Sequence, residues 1–316
     1  MKKIRKKHGI YKIICWKSFV PSKKNTNFAD KKTEKPKTMK PIKTLNDMTR
    51  FLQERGDRKR VAVICPNDAS TRYAIDKGQE MGFIDPVYVD GDDKDECARR
   101  AVSMVRNGEA DILMKGLINT DNVLRAILNK ETGILRPGHV LTHIAMAEIP
   151  KYDKLLFFTD AAVIPIPTKE QRRQQVHYVN YVCRALGIEE PRISLIHCAE
   201  KVSEKTFPYT ADYLEIIALA QSGYFGRCII DGPLDLKTSL DAVSLHEKGI
   251  RSAIDGQADA LIFPDIVAGN VFYKTLTLFA YAKTAGVLQG TLCPVVLPSR
   301  SDSPESKYHS LALAAI

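Results

Sequence analysis

The sequence predicts an α/β protein built on a parallel-rich sheet, and three observations carry that expectation. The chain has 316 residues, 44% of them hydrophobic, enough for two cored domains or one large one and far from a disordered composition. From Lys59 onward short β-branched runs alternate with amphipathic segments, the sequence form of repeated β-α units. Several of those runs end in a polar or turn-forming residue, at the strand end where open parallel sheets bind their ligands.

The first element is a tail. Residues 1–38 hold twelve lysines and one arginine against Asp30 and Glu34, a charge of +11, so a total of +10 leaves −1 for the rest. Its start looks like a signal peptide, but Lys12 and Lys17 interrupt the apolar part and only Ile13, Ile14, Cys15 and Trp16 stand in a row. The tail reads as a basic, unstructured extension ahead of a domain opening at Met39. The competing reading, a basic arm for nucleic acid or an anionic membrane, finds no second basic patch to support it.

Strands are expected next at 60–65, 86–91, 111–116, 154–160, 192–200, 227–232, 258–265 and 294–299. Helices follow from period and caps. Thr120 to Lys130 groups Val123, Ala126 and Ile127 behind a Thr/Asp start, and Asn270 to Ala285 sets Val271, Lys274, Thr275, Leu278 and Ala282 on one stripe. Cysteines at 15, 65, 97, 183, 198, 228 and 293 include no C-x-x-C and no zinc-finger spacing, which suits reduced thiols in a cytoplasmic protein. There is no HExxH and no run of 18 apolar residues, so neither a metal nor a membrane is expected.

Three stretches carry chemistry. In "LMKGLINTDNVLRAIL" a strand ends at Lys115-Gly116 and a helix begins near Thr120, with Arg125 one turn inside. Glycine permits close backbone approach, free amides at a helix start attract anions, and two cations add charge, as a phosphate cradle requires. The Walker A spacing is absent, and the same stretch also reads as an ordinary strand-to-helix turn with solvated Lys and Arg. In "IFPDIVAGNVFYKTL" Asp265 can act as a base or positioner and Asn270 can present its amide to a carbonyl beside Gly269. Turn and cap chemistry, with Asn270 as N-cap, accounts for the same residues. In "PSRSDSPESK" Ser299 and Arg300 close a strand just ahead of a helix start. A hydroxyl, a planar five-donor guanidinium and unpaired amides therefore converge where an oxyanion or phosphate fits. Asp302 and Glu305 add acids close to those cations, suited to removing a proton from a substrate group; a serine-rich loop closed by a helix cap is the alternative.

Those stretches, with "DGPLDLKTSLD", "ADALIFPDIVAGNVFYKTLTLFAYAKTAG" and "PVVLPSRSDSPESKYHSLALA", resemble the phosphate acetyl/butyryltransferase family, most of all its butyryl members. The resemblance runs from about residue 59 to the end and is most specific over 258–303. It implies two α/β domains with parallel-rich sheets and an interdomain cleft, as in isocitrate and isopropylmalate dehydrogenases. Residues 39–140 plus 287–316 would form the first domain and 141–286 the second, with a closing helix over 305–316 packed on the first. The implied reaction is acyl-CoA plus phosphate giving acyl phosphate plus CoA, with a short chain such as butyryl. It proceeds by direct thiolate attack, without metal, cofactor or covalent acyl-enzyme, CoA being a substrate.

By motif, Arg300 would hold the phosphoryl group, Ser299 would hydrogen-bond the thiol or the tetrahedral intermediate, and Arg125 and Arg136 would bind CoA phosphates. Acetyl-specific members carry an aspartate seven positions after the serine; here that position is Ser306, leaving Asp302 and Glu305 as candidate bases. Expected partners are CoA or acyl-CoA and phosphate or acyl phosphate, with neither nucleic acid nor membrane, in a homo-oligomer. The rival readings are a phosphate acetyltransferase, a non-catalytic CoA or acyl-phosphate binder, and a metal-dependent decarboxylating dehydrogenase. The last would need an aspartate cluster for a divalent cation, and the sequence shows no such cluster and no G-x-G-x-x-G.

Overall fold

A computed structural model describes residues 41–316; the basic extension expected at 1–38 lies outside them. Helix α1 (Leu45–Arg55) leads into β1 (Lys59–Ile64), α2 (Ala69–Glu80), β2 (Ile84–Val89), α3 (Lys94–Arg106), β3 (Ile112–Lys115) and α4 (Thr120–Ile127). Then come β4 (Thr142–Glu148), β5 (Leu156–Thr159), α5 (Lys169–Ala185), β6 (Arg192–Ile196), α6 (Tyr209–Gln221) and β7 (Ile229–Leu234). Two short helices, α7 (Leu236–Leu240) and α8 (Ala242–Glu247), precede β8 (Ala260–Ile262), α9 (Ile266–Phe279), β9 (Lys283–Gln289), β10 (Val295–Val296) and α10 (Pro304–Ala315). Side-chain caps start most helices: Thr44, Asp68, Asp93, Thr168, Asp265 and Ser303 each accept from a backbone N–H of the first turn.

Among the described residues ten strands form one sheet, in the order β2-β1-β3-β10-β9-β4-β5-β8-β6-β7. Its flanks are parallel, β2-β1-β3-β10 on one side and β5-β8-β6-β7 on the other. Between them β4 and β9 run antiparallel to each other, from Thr142 opposite Gln289 to Glu148 opposite Lys283, and antiparallel to their outer neighbours. In β1, β3, β5, β6 and β8 of the parallel flanks successive residues are buried on opposite faces, which is why these strands read as apolar runs. One face carries a single core. It runs from Val61, Val63 and Met114 through Ile144, Met146 and Val287 to Phe157, Ile193 and Ile262, under α1, α2, α5, α6 and α10. The other face carries two: Ala62, Ile64, Leu113 and Val295 under α3 and α4, and Ala145, Leu156, Phe158 and Leu261 under α8 and α9. The described residues, 41–316, fall within one compact unit.

The eight expected strands are present with ends shifted by a few residues, and two more, β4 and β9, were not anticipated. The helix expected over 270–285 is corrected at both ends. Asp265 caps it, so it starts at Ile266, and it stops at Phe279, because Tyr281 takes a left-handed φ of 52° and Thr284-Ala285 already belong to β9. Its proposed inner stripe faces outward: Val271 is 60% and Leu278 67% exposed, while Gly269 and Leu276 are buried. Asn270 is not the N-cap but lies in the second turn.

Helix α10 is pinned to the start of α2 by an ion pair between buried Lys307 and half-buried Asp68. Lys307 Nζ donates to Asp68 Oδ1 at 2.8 Å and to Thr71 Oγ1 at 3.1 Å. Burial alone would raise the Asp68 carboxyl. The Lys307 ammonium and the Ser70 and Thr71 hydroxyls outweigh it and hold the carboxyl below the usual carboxylate range. A depressed folded pKa stabilises above the unfolded value, about 4, and that contribution is lost as pH falls below it. Asp68→Asn should therefore cost about 3 kcal/mol at neutral pH, by stranding a buried ammonium, and should flatten the loss of stability below about pH 4. Urea unfolding as a function of pH checks both; an unchanged acid slope would mean that this pair does not couple to folding.

Candidate active site

Between the two cores of the split face a strip of sheet is left open, and a cavity of about 280 Å³ sits on it. His143 of β4 and Gly286 of β9 form its floor. Leu297, Pro298 and Ser299, which continue β10, make one wall with Asp302, Ser306 and Ser310. Ala161 and Ala162, which follow β5, make the other with Asn270, Tyr273 and Lys274 of α9, and Thr120 of α4 closes an edge.

The first wall is held by its own polar groups. The Ser299 backbone N–H donates to Asp302 Oδ2 at 2.7 Å, the Tyr273 hydroxyl lies 3.4 Å from Asp302 Oδ1, and the Asp302 N–H returns to the Ser299 carbonyl at 3.2 Å. Ser299 and Ser301 hydroxyls are 3.0 Å apart, and Ser303 caps α10 with Pro304 at its first position. Arg300 Nη2 donates to Asn119 Oδ1 at 2.6 Å, so the residue capping α4 uses its side chain on the arginine rather than on its own helix. Beneath lies Lys115, only 3% exposed, its Nζ 3.3 Å from the Gly116 carbonyl and 3.5 Å from that of Pro298. Burial first, then the nearby Lys307 and Arg300 charges, lower its pKa from the ordinary ammonium value. Gly116 must be glycine here: a Cβ would stand 2.3 Å from the Cys65 carbonyl oxygen.

Asp160 organises the second wall. Its buried carboxylate accepts from the Thr142 hydroxyl at 2.7 Å and from the N–H groups of Ala162 and Val163 at 2.8 and 2.9 Å. The N–H groups of His143 and Ile164 add longer bonds of 3.2 Å. Helix α9 rests directly on this loop, because a Cβ at Gly269 would come within 2.1 Å of the Asp160 carbonyl oxygen. The Asn270 amide then donates to the Ala161 carbonyl at 2.9 Å.

Of the residues singled out from sequence, Ser299, Asp302, Thr120 and Asn270 line the cavity, and Arg300, Lys115, Gly116 and Gly269 support its walls. Glu305 is exposed and lines an adjoining cavity of about 710 Å³, shared with Asp302, Lys77 and Lys283. Arg125 pairs with Asp95 at 3.3 Å, Arg136 donates to the Leu292 carbonyl at 3.4 Å, and Asp265 spends its carboxylate capping α9 at Ala268 N–H, 2.9 Å. His143, Tyr273 and Lys274 were not anticipated. In "THIAMAE" two polar residues precede four apolar ones, so no polar-apolar alternation marks His143 as a strand residue.

Elsewhere, Cys65, Asp90 and Cys97 bring their ligand atoms within 4.8 Å of one another. Burial, with Cys97 beside it, pushes the Cys65 thiol up to about 11, which favours the thiol over the thiolate a metal needs. No helix among the described residues is long and apolar enough to cross a membrane.

The family model of phosphate acetyl/butaryl transferase matches residues 93–315. The phosphate butyryltransferase of Clostridium acetobutylicum is 36% identical over 298 residues, 87% of this chain and 98% of the relative. The phosphate acetyltransferase of Thermotoga maritima is 32% identical over 284 residues, 83% of this chain and 96% of the relative. A branched-chain phosphotransacylase from Enterococcus faecalis superposes with a TM-score of 0.74 at 32% identity, covering 81% of this chain and 97% of the other.

The close seat of α9 makes Gly269→Ala a test of the second wall. The methyl meets backbone rather than a yielding side chain, so the variant should lose about 1–3 kcal/mol and displace Asn270 from Ala161. Denaturant unfolding measures the first effect; a variant as stable as its parent would mean that α9 is not seated on the Asp160 loop.

Proposed function

The chain belongs to the phosphate acetyl/butaryl transferase family, and we propose that the cavity between Ser299 and α9 is where its acyl group changes hands. The chain is an acyltransferase that interconverts acyl-CoA plus phosphate and acyl phosphate plus CoA. The dehydrogenase and non-catalytic readings are not favoured beside relatives of this kind.

One observation carries the placing of the site: two cations, buried Lys115 and exposed Arg300, flank Ser299 at a cavity wall. Lys115 hydrogen-bonds only carbonyls, at long range, so positive potential is left over for an anion. Arg300 commits one donor to Asn119, and in this reading its remaining fork takes the phosphoryl group. The Ser299 hydroxyl serves the thiol or the tetrahedral intermediate. Of the two candidate acids, Asp302 is the one in the cavity, where it fixes the Ser299 loop and sets a negative charge beside the reacting groups. Thr120 and Asn270 position substrate, and Arg125 and Arg136 take CoA phosphates. For Arg125 that exchanges a surface ion pair worth about 0–1 kcal/mol for a ligand contact.

The same proposal includes a short acyl chain, butyryl or similar, and a division of the shared sheet into two dehydrogenase-like lobes, 39–140 with 287–316 against 141–286. Support for the division is that the chain passes between the parallel flanks at β4 and β9. It also includes a homo-oligomer, for which the outward face of α9 is the candidate surface: Val267, Val271, Leu278 and Phe279 are 60 to 76% exposed on one helix.

Two measurements test these readings. With phosphate and a thiol-trapping dye, a panel of acyl-CoA esters from acetyl to valeryl, straight and branched, should show the four-carbon chain fastest. In that assay Ser299→Ala should lower kcat by about 10² to 10³ with little change in KM, the loss expected for one donor to the reacting atoms. Arg300→Lys should lower kcat and weaken phosphate binding together, since a point charge lacks the fork. Wild-type rates in both variants would remove the chemical basis of this site. Sedimentation of Leu278→Lys/Phe279→Glu should show a smaller species than the parent; an unchanged mass would place the oligomer contact elsewhere.

A further inference from the structure

We propose that His143 is the catalytic residue that takes the proton from the CoA thiol and passes it to the departing phosphate. The assignment rests on the acyl-transfer reading above and names the proton acceptor that neither candidate acid fills. Where acetyl-specific members are expected to carry an aspartate, this chain has Ser306. Its hydroxyl is committed to β9, donating to the Thr284 carbonyl at 3.0 Å. Asp302 is engaged at both oxygens, by the Ser299 N–H and the Tyr273 hydroxyl, and Glu305 does not reach this cavity.

His143 differs from all of these. Among the described residues it is the only imidazole lining the cavity, it sits at the floor opposite the Ser299 loop, and its Nδ1 is sealed from solvent with no hydrogen-bond partner. Buried polar atoms are ordinarily paired, so an unpartnered ring nitrogen in a residue that lines a cavity calls for an explanation. The ring also has a fitted seat: a Cβ at Gly286 would lie 2.5 Å from Nε2, so glycine on β9 is what allows imidazole here. The backbone beneath it is fixed by its N–H bond to Asp160.

The electrostatics agree. Burial lowers the His143 pKa from its ordinary value, with the charges of Asp160 and Asp302 acting in the opposite sense. Among the described residues, the other titratable side chains lining the cavity are Asp302 and, from α9, Tyr273 and Lys274. The neutral ring is therefore the resting form at pH 7, free to accept a proton from a thiol.

The step balances. The thiol S–H pair stays on sulfur as the proton moves to the imidazole, and sulfur attacks the acyl carbon. The carbon–oxygen bond to phosphate then breaks with its electrons on oxygen, and the imidazolium proton leaves on that phosphate. In reverse, phosphate gives up its proton to the ring, and the ring returns it to the departing thiolate.

The experiment follows kcat for acyl phosphate plus CoA from about pH 5 to 9 in wild type and His143→Gln. Wild-type kcat should fall toward acid pH through an ionisation below about 6.5, because protonating the ring removes the base. His143→Gln should lose about 10²-fold or more at pH 7, keep its KM for acyl phosphate, lose that acidic limb, and recover toward the free-thiol pKa of about 8.5. A variant within about threefold of wild type, its acidic limb intact, overturns the assignment and returns the role to Asp302. If His143→Gln does not fold, Asp302→Asn decides instead: a retained limb supports His143, and a lost one overturns it. A wild type that transfers no acyl group overturns the underlying reading as well, which distinguishes the two failures.

Discussion

Everything at the site depends on the pairing of β4 with β9. These two antiparallel strands join two parallel flanks that would otherwise be separate sheets, and their seven-pair register, Thr142 opposite Gln289 through Glu148 opposite Lys283, leaves little freedom for either flank to slide. On one face the junction is covered by a continuous core. On the other the core is interrupted, and the interruption is the cavity. A one-residue slip would turn His143 to the apolar face and bring Ile144 into the cavity. The register that stabilises the sheet therefore also defines the chemistry of its floor.

Charge is distributed around that floor unevenly. Lys307 and Lys115 are both buried, yet only Lys307 has a carboxylate at hydrogen-bond distance, Asp68 at 2.8 Å. Lys115 has carbonyls at 3.3 and 3.5 Å, and Arg300 stands on the other side of Pro298 and Ser299 with a single neutral partner. A buried ammonium satisfied only by long carbonyl contacts is a poor arrangement for an empty protein and a good one for a protein that binds anions. The opposing wall is built the other way. Asp160 is saturated by backbone and hydroxyl donors, so its charge is consumed in holding the 160–164 loop. Positive potential is left unspent on the first wall and negative potential is neutralised on the second.

The parallel flanks were legible because buried parallel strands announce themselves as β-branched runs with turn residues at their ends. The Ser299-Arg300 loop was legible because its density of hydrogen-bonding groups exceeds what a turn uses. The centre of the sheet was not. Thr142–Glu148 mixes Thr, His and Glu with small alanines, since one of its faces lines a cavity instead of a core, and Lys283–Gln289 holds two glycine or alanine residues where the ring of His143 and helix α10 approach closely. Helix α9 misled for a related reason. Val271 and Leu278 of the expected stripe point outward, and the inner face is carried by Phe272 and Leu276 in the core and by Gly269, whose missing side chain permits contact with the Asp160 loop.

These failures share a cause that bears on how such sites are read. A strand whose side chains must leave room for a ligand loses the bulky apolar pattern that identifies strands, so the element nearest the chemistry is the one hydrophobic periodicity describes least well. His143 shows the consequence. Seen as one residue in seven weakly patterned ones it carries no signal. Its significance comes from Gly286, 143 positions further along the chain, whose missing Cβ admits the ring, and from Ser306, whose short hydroxyl turns to β9. The three residues meet only because β4 and β9 pair across the middle of the sheet and α10 crosses their edge, where Ser310 takes the Gly286 N–H at 2.9 Å. Position in the sequence specifies none of that; the pairing does.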